Sequence, residues 1–369
     1  MKRSAVLTAS AVLLPFVIAT SSLPKPADEI GMTVHEWGTF TSVAGSDGMP
    51  VKWRAGAYGG GADLPCFVDR FVPRAGLAGT VRMETPVLYF YASKDSTANV
   101  KVLFPNGTIS KTYPKVSRRV GGSTIEWQNV RIQPGAAPNF PVGGHSHYYA
   151  ARETDAAPLQ VGAQKEKFLF YRGIGTFPLP ISAKVLDHGK ILVKNLAKDP
   201  IHELILFENR GGRQRYHLAG KVEGETTLDL QSTAGDLAGV RLDLERILIG
   251  QGLYPREARA MIETWRDSWF EEGARLFYIV PSRAIDSILP LTIEPAPSQI
   301  SRVFVGRLEL ITQAIEDDVR QALATNNRSR LGQYGRFLEP IASQMRIQNV
   351  ALLRSIYSSS APSSAACIR

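Results

Sequence analysis

A histidine, a carboxylate and a tryptophan stand side by side in Val34-His35-Glu36-Trp37-Gly38-Thr39-Phe40. Trp37 could stack on a saccharide or another flat ligand while His35 and Glu36 exchange hydrogen bonds with it. The same three residues also alternate along a strand, where Trp37 would fill one face of a core, as most aromatic side chains do. A second carboxylate, Glu84, lies in Met83-Glu84-Thr85-Pro86. Two carboxylates at the right separation suffice for glycoside hydrolysis, with Glu36 and Glu84 as acid and nucleophile. Beside an arginine such as Arg82, Glu84 is equally an ion-pair partner.

His145-Ser146-His147 suggests a different chemistry. Residues two apart in a strand project to one face, so both imidazoles can reach one divalent metal. A third ligand would come from His35, Glu36, Glu153 or Asp155, and an open position would hold water. Such a metal brings the pKa of its water to about 7, and an uncoordinated carboxylate can take the proton. Two histidines beside Gly143-Gly144 and Tyr148-Tyr149 are also ordinary surface-loop residues with hydrogen-bond roles. Neither His35-Glu36 nor His202-Glu203 is followed by the histidine that a zinc-protease helix needs. The sequence has no Gly-x-Ser-x-Gly elbow, no phosphate loop ending in Gly-Lys-Ser/Thr and no calcium loop.

Arg210, Arg213 and Arg215 cluster around a turn, where they meet an anionic ligand or pair with Glu208. The glycine run at 56–62 reads as a surface loop that could border a ligand. Asp63-Leu64-Pro65 after it does not open a phosphate-binding helix.

The amino terminus points to export. Lys2 and Arg3 precede an apolar run at 11–19 that ends in small residues suited to cleavage after Ala19. That run is well short of the roughly 20 residues a bilayer requires, so retention as an anchor is the weaker alternative. No integral membrane segment is expected after cleavage. No cysteine follows the run, which argues against a lipid anchor. The net charge of +9 is spread over 369 residues without a Lys/Arg tract, so no nucleic-acid partner is expected. Cys66 and Cys367 can pair in an exported chain and would pin the tail to the first half. Otherwise Cys66 is a small core residue and Cys367 a free thiol.

The elements that must position these residues are mostly strands. A strand is expected at 33–43, turning at Gly45-Ser46-Asp47-Gly48 so that 51–54 pairs back. Strands at 83–92, 167–171 and 203–208 are apolar on both faces and should be covered on both. Pro105-Asn106-Gly107 predicts a hairpin between 99–104 and 108–113. Along 124–132, Ile125 and Trp127 have one parity and Val130 and Ile132 the other, so the strand should change face midway. Asp187-His188-Gly189-Lys190 predicts a second hairpin, Arg210-Gly211-Gly212-Arg213 a further turn, and 226–230 closes the series.

Helical spacing begins near 234, with Leu237, Val240, Leu244, Ile247 and Leu248 on one face. Pro255 opens a second helix whose stripe is Ala258, Met261, Ile262, Trp265 and Trp269. The two tryptophans read as a wedge on the sheet. Strands return at 275–280 and 300–305, and helices follow at 309–324 and 341–357. The expected fold is α+β: an antiparallel β-sandwich over 32–232 with a helical C-terminal third, 233–357, packed on it. A signal peptide (1–19) and a linker (20–31) precede it, and a Ser/Ala/Pro-rich disordered tail (358–369) follows.

His35-Glu36-Trp37-Gly38-Thr39-Phe40, Met83 through Tyr91 (METPVLYFY) and residues 265–281 resemble a group of uncharacterised exported bacterial proteins. The resemblance spans most of the chain after the signal. It implies export and one integrated fold, and it assigns no catalytic residue. Three functions follow as expectations. The first is a periplasmic or secreted protein binding a small-molecule or saccharide ligand through His35, Glu36 and Trp37. The second is a metal-dependent hydrolase built on His145 and His147. The third is a structural or interaction protein with no small-molecule site.

Overall fold

The computed structural model describes residues 31–54, 64–71 and 77–347. The expected signal peptide, the glycine run, the linker up to Ile30 and the tail lie outside the described residues. Cys66 is disulfide-bonded, and Cys367, the other cysteine of the sequence, lies outside them too.

The chain is α+β. Its central strands are β1 (Thr33–Ala44), β2 (Val81–Tyr91), β3 (Ser96–Leu103), β4 (Gly107–Tyr113), β5 (Thr124–Ile132) and β6 (Leu169–Gly175). After them come β7 (Ile201–Arg210), β8 (Arg213–Val222), helices α1 (Leu237–Gly250) and α2 (Pro255–Trp269), and β9 (Gly273–Ile279). β10 (Gln299–Leu310), α3 (Gln313–Ala324) and α4 (Leu338–Gln344) complete the set.

A nine-stranded sheet runs in the order β8-β7-β9-β10-β1-β2-β6-β4, with the short Asp69–Arg70 strand at its edge. A second sheet holds β3 and β5, flanked by Leu159–Val161, Gln164–Glu166 and Leu291–Glu294. A three-stranded sheet pairs Ile181–Val185, Lys190–Asn195 and Glu225–Asp229.

The molecule has three layers. One face of the large sheet packs on the two smaller sheets, where Phe40, Leu88, Phe90, Leu169 and Phe304 meet Val102, Trp127 and Val193. The other face is covered by α1 and α2 over Trp37, Val87, Phe207 and Phe277. Further along that face, α3 and α4 cover Val43. β1 is buried along almost its whole length, as a central strand with both faces covered must be. β2 and β6 are buried in the same way, which agrees with their unbroken apolar runs.

The segments 35–40 and 83–91 lie on adjacent strands. His35 opposes Tyr89, and Trp37 opposes Val87. The register then slips, so Thr39 opposes Glu84, and Thr85 and Pro86 together face Gly38. Pro86 donates no hydrogen bond, so a bulge is the place where a central strand accepts it. Thr85 takes the left-handed conformation there, with φ 49°. Gly38 is needed for space, because a Cβ there would come within 2.7 Å of the Phe304 ring.

Three expectations change. Asn106-Gly107 does not close a hairpin: β3 pairs with β5, whereas β4 pairs with β6 in the other sheet. The turn carries the chain across the sandwich corner, and Gly107 is dictated by the Phe104 ring, which a Cβ would approach to 2.2 Å. β10 runs parallel to β1, so the large sheet is mixed rather than antiparallel. The helix expected from 309 begins at Gln313, with the Thr312 hydroxyl capping the Ile315 N–H at 3.3 Å. Glu309 and Leu310 still belong to β10, where Glu309 pairs with buried arginines. The last described helix ends at Gln344, and residues 348–357 of the expected longer helix lie outside the described residues.

Candidate functional site

β1 sends alternate side chains to opposite layers. His35, Trp37, Thr39 and Thr41 face the helices, whereas Glu36 and Phe40 face the smaller sheets. The trio that looked like one cluster in the sequence is therefore split across the sheet.

His35 is fully buried and its Nδ1 lies 2.6 Å from Glu257 Oε2. Glu257 sits in the first turn of α2, and the same oxygen accepts the Tyr254 N–H at 2.8 Å. Pro255 at the first helical position and a glutamate at the third form a helix-start pattern. That pattern could have singled out Glu257 in the sequence, although not its contact with His35. The carboxylate keeps a proton on Nδ1, so in the neutral imidazole the lone pair is on Nε2. His35 Nε2 and Glu257 Oε1 are both buried without a hydrogen-bond partner among the described residues.

Two rings close over the pair. Tyr254, 41% exposed, lies 4.5 Å from the imidazole between centroids, and Tyr91 lies 5.2 Å away. Burial, then the Glu257 carboxylate, holds the Tyr91 phenol well above its ordinary range. This arrangement can fix one tautomer and accept a hydrogen bond, beneath a tyrosine lid.

Trp37 is fully buried against Tyr89, with ring centroids 5.9 Å apart. It has no exposed face for a flat ligand, so the proposed stacking platform does not exist in this conformation. Trp37→Ala is expected to destabilise the fold by ~3–5 kcal/mol, as for other large-to-small aromatic changes in a core. Urea unfolding measures this, and an unchanged midpoint would contradict a core role. Trp265 and Trp269 stack at an interplanar angle of 6° in the same apolar layer.

Glu36 and Glu84 cannot flank one glycosidic bond, because they lie on opposite faces of the sheet and their oxygens are occupied. Glu36 accepts from the Tyr171 hydroxyl and, at 2.7 Å, from Arg302 Nε. Glu84 accepts from Thr41 Oγ1 at 2.7 Å and pairs with Arg336, with Arg82 Nε 3.4 Å away. Burial alone would raise the Glu84 carboxyl. Arg336, then Arg82 and Arg172, outweigh that effect and hold it at about 2.

His145 is exposed, and His147 opens a short 3-10 helix, His147–Arg152, rather than a strand. His147 Nε2 lies 3.0 Å from Arg266 and 3.1 Å from Asp267. Of the suggested third ligands, His35 and Glu36 are held as above, Asp155 pairs with Arg256 at 2.5 Å, and Glu153 is exposed. Among the described residues no three His, Cys, Asp or Glu side chains gather closely enough to hold a metal. In the Arg210–Arg215 cluster, Arg215 pairs with Glu208 at 2.6 Å.

A different feature emerges on the outer face of the β3–β5 sheet. Ala98 pairs with Val130 and Val100 with Trp127, so Asn99 alone opposes both Gln128 and Asn129. This bulge is the change of face expected in 124–132: Ile125, Trp127, Val130 and Ile132 all point inward. It leaves Gln128 and Asn129, two consecutive amides, both exposed. Asn129 adopts φ 54°, which asparagine tolerates better than most residues, and its N–H is held by Asn99 Oδ1 at 2.9 Å.

Two grooves meet at these amides. One, of about 600 Å³, is lined by Lys115, Ser117, Arg131, Gln160 and Gln164 as well as the bulge. The other, of about 410 Å³, is bordered by Asn99, Lys101, Glu126, Thr292 and Glu294. The Gln128 and Asn129 side chains make no hydrogen bond among the described residues. Each therefore offers a carbonyl acceptor and an amide donor to the trough.

No protein-family model matches the chain, and no curated protein sequence does. Among solved structures, the Danio rerio Fcho1 mu-homology domain with bound Eps15 peptide is similar at a TM-score of 0.32 and 7% identity. It covers 76% of this chain and 97% of that one. The yeast delta-COP-I mu-homology domain, complexed with a Dsl1 WxWxV peptide, is similar at 0.30 and 8% identity, covering 77% and 97%. Likenesses this slight do not establish a shared fold or function. No helix of the described residues is long and apolar enough to cross a membrane.

Proposed function

We propose that the protein is an exported binding protein that takes a polyhydroxylated ligand, a saccharide, in the trough on the outer face of the β3–β5 sheet. The observation that supports this is the bulge at Gln128 and Asn129. It turns two adjacent amides outward at the junction of two polar grooves, and bulges commonly re-aim side chains at working sites. Amide donors and acceptors on a strand suit the paired donor and acceptor character of sugar hydroxyls. The rigid sheet beneath holds them in place without a conformational change.

Calorimetric titration with a panel of oligosaccharides tests the proposal. Gln128→Ala and Asn129→Ala should each weaken binding about fivefold, the effect of one lost neutral hydrogen bond. The melting temperature of Gln128→Ala should stay at the parent value, since that side chain is exposed, whereas Asn129→Ala should lower it by a few degrees, because alanine tolerates φ 54° less well than asparagine. Absence of heat with every saccharide would sink the proposal.

A further inference from the structure

We propose that the trough selects an acidic saccharide, whose carboxylate is held by Lys115 and Arg131. This deepens the function proposed above and rests on the trough being a saccharide site. Both cations line the larger groove, and no carboxylate lines it among the described residues. Neither cation takes part in an ion pair among those residues. The neighbouring cations differ: Lys101 and Arg118 both meet Glu126, at 3.7 and 3.4 Å. The smaller groove carries Glu126 and Glu294 beside Lys101.

The trough is thus polarised, positive at the Lys115–Arg131 end and acidic at the Glu294 end. A neutral glycan would use the amides and leave both cations without a counter-charge. A uronate placed over the bulge would meet the amides with its hydroxyls and the cations with its carboxylate. Because the cations are exposed, the gain is modest and screened by salt. About three- to tenfold at low ionic strength is expected from two surface pairs.

The test uses the full chain and two probes, a uronic-acid hexasaccharide and its carboxyl-reduced neutral counterpart, titrated at low and at high salt. The expected result is a three- to tenfold preference for the uronate. That preference should disappear at high salt and in the Lys115→Gln/Arg131→Gln double variant, with the melting temperature unchanged. Equal binding of both probes would overturn the charge selection and leave the trough standing as a saccharide site. A preference that survives in the double variant would overturn the role of Lys115 and Arg131. If neither probe binds, the saccharide reading fails, and the acidic preference with it.

Discussion

Glu84→Gln is expected to lower the unfolding free energy by ~3–5 kcal/mol, the usual effect of removing one partner from a buried ion pair. Glu84 is 1% exposed and anchors an ionic seam between the large sheet and the C-terminal helices. Arg336, just before α4, bonds to Glu84 and, at 2.7 Å, to Ser268 Oγ on α2. Arg307 on β10 bonds to Glu309 at 2.6 Å and Glu271 at 2.9 Å, and Arg275 on β9 pairs with Glu309 at 2.9 Å. The seam separates the apolar layer under α1 and α2 from the one under α3 and α4. Glutamine keeps the shape of Glu84 but leaves several guanidinium groups with too little counter-charge.

The pH dependence follows from the sign of the shift. Glu84 titrates at about 2 in the fold, below its ordinary 4.5, so the native state holds fewer protons than the unfolded chain between those values. Its contribution is complete above about pH 4.5 and is lost as pH falls toward 2, on the order of 3 kcal/mol. Urea unfolding across that range should show a steeper loss for the parent than for Glu84→Gln. Parallel curves would show that Glu84 does not carry the acid sensitivity.

His35→Ala and Glu257→Gln form the second large expectation. His35→Ala strands a fully buried carboxylate, so ~3–5 kcal/mol of stability should be lost. Glu257→Gln keeps an acceptor for the Tyr254 N–H and for Nδ1, and should be milder, ~1–3 kcal/mol, as a charge-assisted bond becomes a neutral one. The two changes should couple by more than ~1 kcal/mol in a double-mutant cycle, because the residues are in direct contact. Additive effects would mean that the pair does not tie α2 to β1. This bond joins two residues 222 positions apart and gives the buried His35 imidazole its partner.

Much of the architecture was legible in the residues. Both-face apolar runs such as Val87 through Tyr91 and Leu169 through Tyr171 mark covered central strands, because a strand can be apolar on both sides only between two layers. The parity break between Trp127 and Val130 marks the bulge, since an inserted residue is the simplest way to keep both pairs inside. Helix α2 shows its Pro255 start and its Trp265–Trp269 stripe at 3.6-residue spacing. Asn106-Gly107 misled because turn chemistry is local. Whether the flanking strands pair is decided by the distant β5 and β6.

The first motif, His35-Glu36-Trp37, shows most clearly how the two levels divide. The sequence by itself determined that these residues lie on a strand and therefore alternate in direction, a consequence of the two-residue period of extended backbone. Only the tertiary structure decided what each one meets: His35 the Glu257 of α2, Glu36 the Arg302 of β10, and Trp37 the ring of Tyr89. Those partners come from remote segments whose approach depends on sheet order and layer packing, which local spacing does not encode. For the same reason no local motif marks the polar trough. Its residues, Lys115, Gln128, Asn129, Arg131 and Gln160, come from separate segments that only the sheet sets around one groove.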